Sequence, residues 1–366
     1  MDGPIKGRGA LSNSRGRFAR HEREPDRDAL AAAAAASDDA PPRLATTVHI
    51  DTARSIIARN QSPDLPFSQS INPYRGCEHG CIYCYARATH SYLDLSPGQD
   101  FETQLFYKPN ARELLRAELA APGYTPSPIA LGTNTDPYQP VERELRVTRS
   151  ILELLLELKH PLTIVTKGSL ILRDLDLLAE LAGHELVAVN VSLTTLDHDL
   201  KRRMEPRTAG PEQRLHMIRA LTDAGVPTGV LAAPIIPALN DHELERMLEA
   251  AAQHGAISAG YVLLRLPHEV EALFVEWLHA QYPDRAEHVL SLIRQMREGG
   301  LNDPAFGSRQ RGRGPFAQLL KARFARATRA YGLTGDFTLN SSLFAPPREP
   351  RPQLDLWPLE PVRESQ

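Results

Sequence analysis

Residues 70–85 read S-I-N-P-Y-R-G-C-E-H-G-C-I-Y-C-Y, and this stretch decides the fold. Its spacing is C-x3-C-x2-C, and Cys77, Cys81 and Cys84 are the three cysteines of the 366-residue chain. An odd number of thiols, clustered in a chain that opens with polar and basic residues rather than a secretory signal, argues against a disulfide framework and for metal. Three thiolates cover three irons of a cubane cluster and leave the fourth open, whereas electron-transfer clusters use four cysteines. An open iron implies a ligand that is not protein. The competing reading is a zinc site completed by His79 or His90, since Cys3His is a normal zinc set.

Working outward, the chain repeats a short apolar or β-branched run followed by a longer amphipathic stretch, the pattern of βα units around a parallel sheet. Strands are expected at Gln69 to Tyr74, Pro128 to Thr133, Leu162 to Thr166, Leu186 to Leu193, Thr228 to Pro234 and Gly260 to Leu266. Helices are expected from Arg143 to Leu158 and from Pro211, Asn240 and His268. Six units make an α/β fold, a partial (β/α)6 TIM-like barrel. Its chemistry belongs at the C-terminal ends of the strands, where the cysteines follow strand one. The organisation read from composition is a disordered or extended basic arm over 1–45 and the partial barrel over 46–283. A helical C-terminal extension follows over 284–340, then a proline-rich tail over 341–366 that is either an irregular strap or loose. The alanine run Ala31 to Ala36 between acidic residues reads as a solvated helix.

The cysteine segment resembles the signature of the radical S-adenosylmethionine (SAM) superfamily, whose members bind SAM at the open iron of a [4Fe-4S] cluster. The stretch from Asn72 to Arg87, T-D-P-Y-Q-P-V-E at 135–142 and T-K at 166–167 are similar to the branch containing spore photoproduct lyase. K-G-R-G-A-L-S-N at 6–13 and G-Y-V-L-L-R-L-P-H-E at 260–269 resemble one uncharacterised subgroup of it. The resemblance implies the partial barrel, the cluster and SAM. It also implies an external electron donor such as flavodoxin or ferredoxin, and reductive cleavage of SAM to a 5'-deoxyadenosyl radical that abstracts hydrogen. By the same resemblance Tyr83 lies near the adenine, Lys167 contacts the SAM carboxylate and Ser192 is a small polar SAM contact. Asn190 shares the face of Ser192 by strand alternation, as a SAM contact or as a core hydrogen bonder.

Four further residues are substrate-pocket candidates. Asp136 and Tyr138 sit in a turn after the second strand, where Asp136 is also open to an Asx-turn or capping role. Tyr261 and Arg265 are four apart at the sixth strand, expected on one face, where packing and an ion pair are the plainer alternatives.

With all three thiols committed, none remains for an auxiliary cluster, a methyl-carrying cysteine or the cysteine hydrogen donor that spore photoproduct lyase uses. The net charge of −3 makes no general case for nucleic acid. A local one exists, because residues 306–331 carry Arg309, Arg311, Arg313, Lys321, Arg323, Arg326 and Arg329 with no acid. The N-terminal arm adds Lys6, Arg8, Arg15, Arg17 and Arg20. These either meet phosphates, a nucleic-acid lesion being the substrate class that would fit, or solvate a helix face and grip the protein's own carboxylates. The chain has no run of about 18 apolar residues, so the expectation is a cytoplasmic protein with no membrane partner. The alternatives to an enzyme are a non-catalytic iron-sulfur protein and a zinc-stabilised nucleic-acid-binding module.

Overall fold

The computed structural model describes residues 7–19 and 44–347. Among the described residues ten strands form two sheets: β1 (Thr47–Ile50), β2 (Ile57–Arg59), β3 (Gln69–Ile71), β4 (Tyr74–Arg75), β5 (Gln104–Tyr107), β6 (Ile129–Leu131), β7 (Leu162–Thr166), β8 (Val187–Ser192), β9 (Thr228–Ile235) and β10 (Ser258–Leu263). The main sheet runs β10-β9-β8-β7-β6-β3-β2, and every pairing is parallel except β2 with β3. Its six parallel strands fall where the alternation of apolar runs and helical patterns placed them. The smaller sheet β1-β5-β4 was not legible, because its strands are too short to show a period.

Strands β7 to β9 are covered on both faces and therefore read as near-continuous apolar runs. Outside them, Leu152, Leu155, Leu178, Leu181, Met217 and Met247 supply the helix layer. The helix expected from Arg143 to Leu158 is two helices, Glu142–Leu145 and Val147–Glu157, split at Arg146, whose φ is 52°. The buried Glu142 carboxylate causes the break: it accepts Thr148 N at 3.0 Å and Arg173 Nη2 at 2.8 Å, capping the second helix from within the first.

The C-terminal extension is two helices, Pro283–Met296 and Gly314–Ala330. It is no separate domain. Ala286, Val289 and Ile293 share one apolar core with Trp277, Leu200, Met204 and Cys81 of the cysteine loop. Beyond them the chain crosses the N-terminal ends of the strands as a strap. Gly335 N bonds Ile257 O at 2.9 Å, Asn340 N bonds Glu185 O at 2.8 Å and Ala345 N bonds Leu158 O at 3.0 Å. Phe344 packs edge-on to His160, ring centroids 5.1 Å apart. The strap begins at Thr334, earlier than the 341 boundary expected; residues 348–366 lie outside the described residues.

The expected N-terminal arm differs more. Residues 7–19 are packed on the protein, with Ala10 fully buried and Arg8 nearly so. Lys6, Arg20 and the alanine run lie outside the described residues.

The strap closes the barrel floor at Gly229. A Cβ there would lie 2.5 Å from Ser258 Oγ, 2.6 Å from Asn190 Oδ1 and 3.0 Å from Phe337 Cζ. Gly229→Val is therefore expected to cost about 1–3 kcal/mol in chemical denaturation, the usual penalty for overpacking. An unchanged denaturation midpoint would mean that Phe337 yields freely and the floor is not sealed.

Candidate functional site

The loop carrying the thiols leaves the end of β3 through the two-residue strand β4 and enters a 3-10 helix, Tyr85–Leu93. It has little regular structure, so its polar groups are satisfied from elsewhere. Gln139 accepts Glu78 N at 2.9 Å and donates to Gly76 O at 3.2 Å. Ile82 N bonds Met204 O at 3.0 Å, and Arg207 N bonds His79 O at 3.3 Å. Arg87, fully buried, donates to Cys81 O at 2.9 Å and pairs with the equally buried Glu102. Glu102 also accepts Gly9 N at 2.9 Å and Ala10 N at 2.8 Å. The N-terminal segment thus presses on the cysteine loop so closely that a Cβ on Gly9 would lie 1.8 Å from Gly80 O.

Cys77 and Cys81 are buried, Cys84 is half-buried, and none forms a disulfide. Burial first, then the Asp136 carboxylate, pushes the Cys77 thiol well up. Burial and Glu205 push Cys81 up to about 12 against the pull of Lys167, and burial raises Cys84 despite Arg87. Burial thus disfavours the thiolates, and a metal would have to replace the proton on each sulfur. Each histidine that a zinc set would need has one ring nitrogen engaged, while His90 Nδ1 is buried without a hydrogen-bond partner among the described residues. His79 Nδ1 lies 3.3 Å from Asp136, and His90 Nε2 bonds Gln104 O at 2.9 Å with its ring edge-on to Phe101. Burial drives the His90 pKa down to about 4. Among the described residues no three His, Cys, Asp or Glu side chains are gathered on one ion position.

Tyr83 and Lys167 stand near the thiols, and Ser192 is linked to Glu205 beside them through Arg214. Lys167 Nζ stands 5.9 Å from the Tyr83 ring centroid and has no carboxylate within ion-pair distance among the described residues. The Tyr83 hydroxyl donates to Glu205, which pairs with Arg214; all three are buried. Burial would raise the Glu205 pKa, but Arg214 and then Lys167 hold it at about 2. Arg214 also bonds Ser192 O at 2.9 Å, tying the end of β8 into this network. The Ser192 hydroxyl donates to Ala233 O at 3.2 Å. Asn190 lies two residues deeper on the same face, next to Gly229 and the strap, and its side chain makes no hydrogen bond among the described residues. Glu205, Arg214 and Glu102 escaped the sequence reading, each being one charged residue in a segment without motif; Arg87 ends the cysteine motif, but its spacing gave it no role.

Three expectations need correction. Asp136 is saturated: it accepts Tyr138 N at 2.9 Å, Thr166 Oγ1 at 2.7 Å and Lys167 N at 2.8 Å besides facing His79, so it clamps two strand ends and the cysteine loop together. Tyr138 is packed in the main core, its ring 1% exposed and its phenol in the field of Asp174 and Glu142, away from the thiol loop's own contacts. Tyr261 and Arg265 lie in different surroundings. β10 ends at Leu263, short of Arg265; Tyr261 packs on Phe324, 4.6 Å away, while Arg265 lies over Tyr85 at 5.7 Å. The arginine loop is also used internally. Arg309 pairs with Asp64 at 2.6 Å, Arg313 pairs with Glu298 and Arg311 stacks on Tyr261 at 4.1 Å. Among the described residues no helix is long and apolar enough to cross a membrane.

A parallel partial barrel with a C-x3-C-x2-C loop at its C-terminal mouth defines a class, and comparison with known proteins agrees. Residues 71–251 match the family model of the radical SAM superfamily. The uncharacterized protein Rv2578c of Mycobacterium tuberculosis is 38% identical over 284 residues, 76% of this chain and 80% of its own length. The uncharacterized protein MJ0683 of Methanocaldococcus jannaschii is 29% identical over 173 residues, 47% of this chain and 62% of that protein. Among solved structures, a spore photoproduct lyase mutant aligns with a TM-score of 0.56 at 16% identity, covering 78% of this chain and 79% of that one. A second mutant, which carries AdoMet and a dinucleoside spore photoproduct, aligns with a TM-score of 0.56 at 15% identity and 78% coverage of both chains. The chain belongs to the radical SAM superfamily. Its barrel is of the kind seen in spore photoproduct lyase.

Two outcomes follow from the packing of the loop. Gly9→Ala should lower the stability of the protein by about 1–3 kcal/mol, since the new methyl must displace a backbone carbonyl; a Tm equal to that of the parent would show that the N-terminal segment is loosely held. The Asp136 carboxyl is pushed up by burial, but His79 and three hydrogen bonds outweigh this and depress it to about 2. A depressed acid stabilises the fold above its unfolded pKa, near 4, and the contribution of roughly 2 kcal/mol is lost as pH falls through about 2. Acid denaturation of Asp136→Asn should therefore be flatter between about pH 4 and pH 2 than that of the parent, and identical curves would contradict the clamp.

Proposed function

We propose that Cys77, Cys81 and Cys84 hold a [4Fe-4S] cluster with SAM at its fourth iron, and that the protein is an enzyme that takes hydrogen from a substrate at the barrel mouth. The observation that carries this reading is the set of three unpaired thiols on one loop, two buried and one half-buried, beside a Lys167 ammonium with no carboxylate partner among the described residues. When bound, the cluster and SAM supply a one-electron cleavage that releases a 5'-deoxyadenosyl radical for hydrogen abstraction.

The chain's own residues would bind and orient. Lys167 is positioned to meet the SAM carboxylate, an anion that completes its hydrogen bonding. Tyr83, fixed by Glu205 and Arg214, offers a ring of set orientation to the adenine. Ser192 retains hydroxyl lone pairs after its bond to Ala233, and the free amide of Asn190 faces the same side of the sheet. The strap over the floor excludes water from below.

Since three cysteines exhaust the thiols of the chain, electrons come from outside, and a flavodoxin or ferredoxin is the proposed donor. The substrate class to assay first is a nucleic-acid lesion, on the likeness of the motifs to the spore photoproduct lyase branch.

Anaerobically reconstituted protein should contain about four irons per chain and form 5'-deoxyadenosine from SAM with dithionite, and Cys84→Ala should do neither. Lys167→Met should keep the iron and weaken SAM binding on the order of tenfold or more, the worth of a charged hydrogen bond. Zinc in place of iron, or a cluster that leaves SAM intact, would overturn the proposal.

A further inference from the structure

Arg265 is a cation at the barrel mouth that the fold leaves unanswered. It stands two residues past the end of β10; its Nε is buried without a hydrogen-bond partner, and no carboxylate among the described residues lies within ion-pair distance. Its neighbours cannot help. Arg309 is spent on Asp64 at 2.6 Å, and Arg297 donates to the carbonyls of Leu264 at 2.7 Å, Ser308 at 3.1 Å and Arg309 at 2.8 Å. Burial and then the adjacent Arg309 push the Arg265 pKa down, as expected where positive charge is crowded and unneutralised.

The setting is aromatic as well as cationic. The Arg265 guanidinium lies 5.7 Å from the Tyr85 ring, which follows Cys84 directly and is 46% exposed, with its hydroxyl committed to Thr133 O. Beyond, Arg309 covers Phe306 at 4.6 Å, a ring 62% exposed. Two guanidinium–ring pairs thus stand near one another, Arg309 being close enough to act on Arg265. A polar group out of water without a partner is costly, and the sites that retain one are commonly those where a ligand supplies it. An oxyanion satisfies the guanidinium, and a planar group stacks on the open ring. Packing against Tyr85 alone would not require a charge.

We propose that Arg265 and Tyr85 form an oxyanion subsite at the barrel mouth, which takes a phosphate or carboxylate of the substrate and stacks the attached planar ring on Tyr85. The subsite's role as a substrate site rests on the proposed radical SAM reading; its existence as an anion site does not. The two oxyanions share the recognition chemistry, and the test separates them.

Equilibrium binding to the full-length, anaerobically purified protein would be measured for two pairs of probes. One is thymidylyl-thymidine and its neutral methylphosphonate; the other is 4-hydroxyphenylpropionate and its amide. The expected result is that the charged member of one pair binds about tenfold or more tightly than its neutral partner, and that added salt erodes the difference. Arg265→Gln should abolish the preference without lowering Tm, and Arg265→Lys, which keeps the charge and loses the fork, should restore part of it. The pair that shows the preference identifies the oxyanion. Equal binding of charged and neutral probes in both pairs, no binding of any, or an undiminished preference in Arg265→Gln would overturn the subsite. Iron content and SAM cleavage, read on the same preparation, separate its failure from that of the radical reading: charge-selective binding without a SAM-cleaving cluster keeps the subsite and rejects the radical chemistry.

Discussion

The buried pair between Arg87 and Glu102 is the constraint on which the site depends. Neither side chain reaches solvent, and between them they meet the Cys81 carbonyl and the amides of Gly9 and Ala10. A buried ion pair adds little net stability against an apolar replacement, but losing one partner strands a charge and costs about 3–5 kcal/mol. What the pair supplies is position: a loop with almost no regular structure is pinned from its outer side to one geometry. On the inner side Asp136 and Gln139 do the same from the turn after β6. The cysteines are therefore presented by a frame assembled from four separate parts of the chain, and not by the local conformation of the motif.

The barrel divides this work between its ends. At the C-terminal ends of the strands stand the thiols, Lys167, the Tyr83–Glu205–Arg214 network and Arg265; at the N-terminal ends the strap from Thr334 to Ala345 lies across β10 to β7. An open barrel of six parallel strands has a gap and a floor that water could enter, and the strap covers the floor. The gap side carries β2 and the small sheet β1-β5-β4, which also buries His90. Helices counted as an appendage from their sequence prove integral, since Ala286 and Ile293 share a core with the cysteine loop.

The cysteine spacing and the six parallel strands were legible, because thiol chemistry and apolar periodicity are local signals. The N-terminal segment was not. Its Gly-rich, basic composition is that of a loose arm, yet it is held through backbone amides and the approach of Gly9 to Gly80, which need no side chain to announce them. Asp136 was singled out correctly as a residue of the mouth, but its carboxylate is spent on the frame. Tyr138, read as a pocket residue of a turn, is buried in the core, and Tyr261 shows the limit of strand alternation, because β10 ends before Arg265. In the arginine loop Arg309 and Arg313 meet the carboxylates of Asp64 and Glu298, outside the loop.

The central claim is that three thiols from one loop leave one iron of a cubane open to SAM. Mössbauer spectroscopy of protein reconstituted with iron-57, recorded with and without SAM, tests it most directly. The account predicts four irons in which one is distinct from the other three, and a change on adding SAM confined to that one. Four equivalent irons that SAM leaves untouched would contradict it.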